Sequence, residues 1–104
     1  MKKTTEQMQA EFTALMNEHG FTPTGETTYL GRPIYSRVWN QRSKVVWYGE
    51  RENSMEIKVH ESLGYPMIAI IKNGIPRGDR RSYASPKRAI NAMREIVTYA
   101  GYTF

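Results

Sequence analysis

The stretch Met67-Ile-Ala-Ile-Ile-Lys72, followed at once by Asn73-Gly74, constrains the fold more than any other part of the chain. As a strand, a run apolar at both odd and even positions has no side suited to water, so it belongs inside a sheet with neighbours and a cover. Asn-Gly is the strongest short-range hairpin signal, because both residues readily take the positive φ that a type I′ turn demands. The chain therefore doubles back here, and the sheet is antiparallel.

The cover comes from two helices. Thr4 with Gln7 forms a capping box, Glu6 sits in the first turn, and Met8, Phe12, Leu15 and Met16 recur at helical spacing. This predicts a helix over 5–18, with Gly20 as its stop and Pro23 barring continuation. Ser85-Pro86 reads as an N-cap and first-turn proline and opens a second helix over 86–99. Ala89, Ala92, Met93, Ile96, Val97 and Ala100 face inward on it, Lys87, Asn91, Arg94, Glu95 and Thr98 face outward, and Gly101 follows the last turn.

Between the helices, β-branched and aromatic runs predict strands at 27–30, 34–39, 44–49, 55–60 and 67–72, with a short return strand at 80–83. The polar run Asn40-Gln-Arg-Ser43 reads as a tight hairpin connection. The expected fold is α+β over a single domain, 1–104. An N-terminal helix leads into a four- to five-stranded antiparallel sheet and a C-terminal helix, with both helices on one sheet face.

With the turn at 40–43, the side-chain period of two assigns the faces. Ile34, Val38, Val45, Trp47, Met55, Ile57 and Val59 form the core side. Tyr35, Arg37, Trp39, Lys44, Val46, Tyr48, Glu56, Lys58 and His60 form the open side. Rings interleaved with cations are the composition of a platform for single-stranded nucleic acid, where bases stack at about 1–3 kcal/mol each. The same composition also stabilises a bare sheet through cross-strand pairs, or meets a protein partner.

The formal charge is +5, and all of the excess lies after residue 71, where seven Lys and Arg face Asp79 and Glu95. Arg80, Arg81, Lys87 and Arg88 crowd the start of the second helix. The positive end of the helix dipole favours acids there, so these cations are placed against the local field. A bound phosphate reverses the sign of that arrangement. Arg77, Asn91 and Arg94 extend the patch, and several spread charges suit a polymer better than a small ligand. Ser85, Lys87, Arg88 and Ala89, in "SPKRA" after a run of strands, resemble the opening of the last helix of the double-stranded RNA-binding domain. That resemblance implies cationic contacts to a nucleic-acid backbone. The GPxH loop of that family is missing, and the expected sheet is larger by a strand or two.

The candidate nucleic-acid-binding residues are therefore Arg77, Arg80, Arg81, Lys87, Arg88, Asn91 and Arg94, with Arg37, Lys44, Tyr35, Trp39, Tyr48 and Lys58 on the sheet. The sequence holds no HExxH motif, no serine elbow and no Gly-rich phosphate loop. His19 and His60 read as surface residues, and the carboxylates show no spacing for an acid/base or metal pair, so neither enzyme activity nor a cofactor is expected. The absence of cysteine excludes thiolate catalysis and suits a reducing cytoplasm. No apolar leader or membrane-length run is present, and the expected partner is DNA or RNA. The rival reading is a protein–protein module, such as a phage or mobile-element inhibitor that docks its basic patch on the acidic surface of a host nucleic-acid-handling complex.

Overall fold

The computed structural model describes residues 4–45, 49–63 and 65–104, the side chains of 41–53, 79 and 80 excepted. Helix α1 (Thr5–Glu18) is followed by strands β1 (Thr22–Thr27), β2 (Pro33–Val45), β3 (Gly49–Ser62), β4 (Tyr65–Lys72) and β5 (Ile75–Ser82), and then by α2 (Pro86–Tyr99). The strands form one antiparallel sheet in sequence order. The α+β architecture is the expected one, with five strands.

Local chemistry places the ends of the elements. Thr4 accepts from the Gln7 N–H at 3.1 Å while the Gln7 side chain accepts from the Thr4 N–H at 2.9 Å, closing the capping box. Asn73 and Gly74 turn with φ of 52° and 79°. Asn73 also clamps that turn to β3: its Oδ1 accepts from Ser54 N–H and its own N–H reaches Ser54 O, each at 2.8 Å.

Phe12, Met16 and Phe21 meet Tyr35, Trp39, Met55, Ile57, Val59 and Ile68 from the sheet and Ala89, Ile90, Met93 and Val97 from α2 in one buried cluster. Both helices therefore share one face of the sheet.

The central hairpin departs from the expected layout. Residues 40–43 are not a turn but lie within β2, whose ladder with β3 runs on to Val45 opposite Gly49. Tyr35 then pairs with Val59, Arg37 with Ile57 and Trp39 with Met55. The expected layout set 34–39 beside a separate strand at 44–49; here Pro33–Val45 is one strand that pairs directly with β3, and this pairing exchanges the faces of β2. Tyr35, Arg37 and Trp39 turn toward the helices, and Ile34 and Val38 turn away. The register also sets Arg42 opposite Glu52 and Lys44 opposite Glu50.

The two edges differ as well. β1 occupies 22–27 rather than 27–30, and Thr28 closes the loop after it by accepting from Gly31 N–H at 2.8 Å. β5 starts directly after the Asn-Gly turn rather than at 80. It pairs Arg77 with Ile70 and Arg81 with Ile68, so the edge strand carries extra residues around Gly78, where φ is +73°.

Candidate functional site

Two elements build the basic face. β5 brings Arg77 and Arg81, and α2 brings Lys87, Arg88, Asn91 and Arg94; all six are exposed. The register sets Arg81 level with buried Ile68, on the helix-covered side of the sheet, so strand and helix cations share one side of the molecule. On α2, Lys87, Asn91 and Arg94 fall at i, i+4 and i+7 and form one stripe. Arg94 Nη1 donates to Asn91 Oδ1 at 3.5 Å. Arg88 lies on the next flank with Glu95, two turns further along.

The helix start is made as the sequence implies. The Ser85 side chain accepts from Arg88 N–H at 3.3 Å, Pro86 occupies the first turn, and that turn contains no acid. Among the described side chains, Arg77, Arg81, Lys87 and Arg88 have no carboxylate within ion-pair distance. The Arg80 side chain lies outside the described residues, so its expected role in this patch has no geometry here.

The aromatic part of the expected site is located elsewhere. Tyr35 and Trp39 are core residues, 5% and 7% exposed, and not a stacking platform. Tyr35 meets Phe12 edge-on at 5.7 Å, and Trp39 meets Phe21 edge-on at 6.2 Å. Trp39 Nε1 donates to Thr103 O at 3.0 Å, and its ring stacks on Phe104 at 6.0 Å. The direct pairing of β2 with β3 is the reason, since it sets Tyr35, Arg37 and Trp39 level with the buried Val59, Ile57 and Met55 and turns them inward. Arg37 follows them: its Nη1 donates to His19 O at 2.7 Å and its guanidinium lies 4.6 Å from the Trp39 ring centroid. Arg37 is a half-buried cap on the core edge rather than an open cation. Tyr48, with Val46 and Trp47, lies outside the described residues, as does the side chain of Lys44.

Phe104, which no sequence pattern singles out, joins the two groups. Arg37 sits 5.2 Å and Arg94 5.4 Å from its ring centroid, and His19 packs beside it at 5.6 Å. The nearest signal is the closing "YTF": an aromatic pair just past a helix end can fold back on the core.

Lys58 stays on the uncovered face, in register with Ser36 and Ala69. Its neighbours there are small rather than aromatic.

A cleft of about 230 Å³ opens between the β1–β2 loop and the end of β3, lined by Thr27, Thr28, Tyr29, Leu30, Ile34, His60, Glu61 and Ser62. Its Glu61 is 1% exposed and bound to the guanidinium of Arg32, with Gln9 Nε2 at 3.4 Å from the other oxygen. This pair, buried at Glu61 and partly exposed at Arg32, fastens loop, sheet and α1 together. No group of three His, Cys, Asp or Glu side chains placed to hold a metal occurs among the described residues. None of their helices is long and apolar enough to cross a membrane.

In comparisons with known proteins, the chain matches no family model, no curated protein and no solved structure.

Proposed function

We propose that this is a small non-enzymatic protein that binds nucleic acid through the basic face of β5 and α2. One observation carries the reading. Arg77, Arg81, Lys87 and Arg88 stand exposed on adjoining elements, without an ionic partner among the described side chains. Lys87 and Arg88 also occupy the helix turn where a cation is unfavourable by about 0.3–1 kcal/mol each, a cost that a phosphate converts to a gain.

Burial of Tyr35 and Trp39 removes base stacking on the sheet from this reading. The remaining contacts are to phosphate, so binding follows charge and salt rather than base sequence.

Fluorescence anisotropy with labelled single- and double-stranded DNA and RNA, across a salt series, tests it. Engagement of Arg77, Arg81, Lys87, Arg88 and Arg94 gives a slope of log K against log salt of about −4. Charge reversal at Arg81, Lys87 and Arg88 should reduce that slope by about one for each cation lost. Absence of binding to all four polymers at low salt overturns the proposal, as does unchanged affinity in a folded triple variant.

A further inference from the structure

No described element covers the sheet face turned away from the helices. Its central residues follow from the register. One row across β2, β3 and β4 is Val38, Glu56 and Ile71; the next is Ser36, Lys58 and Ala69. None of the six is buried, and Val38 is 50% exposed. Glu56 and Lys58 have no ionic or hydrogen-bonding partner among the described residues. Exposed and half-exposed aliphatic side chains on a sheet mid-face, set around one charge of each sign that has no partner among the described residues, offer a surface for contact.

The two rows complement each other. One carries a carboxylate between two branched aliphatic side chains; the other carries an ammonium between two small ones. From this we infer that the face is a self-association surface whose occupant is a second copy of the chain, packed sheet against sheet.

Two kinds of two-fold axis stack β3 on β3. An axis along the strands sets Glu56 over Glu56 and Lys58 over Lys58, which is repulsive. An axis across the strands at Ile57 sets Glu56 of each copy over Lys58 of the other. It also lays Val38 over Ser36 and Ile71 over Ala69, so large side chains meet small ones, as interdigitation between sheets about 10 Å apart requires. The charges select the second axis, and the contact is isologous and closes at two copies. The helices and the basic face of each copy point outward, so self-association and polyanion binding use opposite sides of the sheet and stand or fall separately.

The test is charge exchange, read by sedimentation equilibrium from about 1 μM to about 1 mM. Wild type should dimerise in this range. E56K alone places lysine against lysine at both contacts, and K58E alone places glutamate against glutamate. Each should weaken the dimer by at least about 30-fold. The double variant E56K/K58E should restore it. An equimolar mixture of the two single variants should form a heterodimer, because every contact is then of opposite sign. Circular dichroism of each variant establishes that it is folded. A wild type that stays monomeric, single variants that dimerise as wild type does, or folded variants that fail to associate on mixing each overturn the proposal. The first outcome would leave the face to a different protein partner.

Discussion

Glu61 and Glu56 lie on the same strand and have opposite circumstances. Glu61 is buried against Arg32, whereas Glu56 sits half-exposed without an ionic partner among the described residues. Removing a cation from beside a buried carboxylate is costly, whereas altering a surface charge is not. Arg32→Ala is therefore expected to lower unfolding free energy by about 3 kcal/mol, measured by urea denaturation. Glu56→Gln is expected to stay within about 0.5 kcal/mol of wild type in the same measurement. Trp39 gives a second contrast. Trp39→Ala should cost about 3–5 kcal/mol for the lost core volume, and Trp39→Phe about 1 kcal/mol for the bond to Thr103 O. Where the Trp39→Ala protein remains folded, its affinity for polyanions should match wild type, since the ring faces Phe21 and Phe104 rather than solvent. Loss of affinity in a folded Trp39→Ala protein would place Trp39 back in the binding site.

At the level of elements, the first turn of α2 sets stability against binding. Lys87→Glu and Arg88→Glu introduce acids where the helix dipole favours them. Each should raise stability by about 0.3–1 kcal/mol while weakening nucleic-acid binding, with thermal unfolding and anisotropy as the paired readouts. Ser85→Ala should do neither; it removes the cap on Arg88 N–H and costs about 1 kcal/mol. The helices were legible in the sequence because their signals are local: Thr4 with Gln7, and Ser85 with Pro86, need only the residues beside them. The Asn73-Gly74 turn was legible for the same reason. The β2–β3 hairpin was not. Asn40 to Ser43 is polar because the ladder there runs past the pairing of β1, which meets Ser36, and of β4, which ends at Lys72 opposite Met55. Without a third strand alongside, a strand has less call for apolar residues, and its sequence looks like a turn. That one misplacement reversed the phase of β2 and exchanged Tyr35 and Trp39 for Ile34 and Val38 on the uncovered face.

For the whole molecule, the sheet is a partition. Its helix-covered side ends in the exposed cations of β5 and α2, and its bare side carries Val38, Ile71 and the paired rows of Glu56 and Lys58. Reversing Arg81, Lys87 and Arg88 should leave the sedimentation behaviour unchanged, and E56K should leave the slope of the salt titration unchanged. The basic helix start was legible because charge counts along a chain need no register. The aliphatic face was not, since "MIAII" tells only that both sides of β4 are apolar. It does not tell that helices cover just one of them.

The outermost strands bear on what happens at high concentration. β1 contains Pro23, and β5 contains Pro76 with an irregular stretch at Gly78 beside Arg77 and Arg81. Proline withholds an amide hydrogen, a bulge bends the strand, and arginine repels its own kind, so neither margin offers an incoming chain a regular ladder to extend. Concentrated solutions should accordingly reach a finite particle size and stop there, without the open-ended growth into fibrils that bare sheet margins invite.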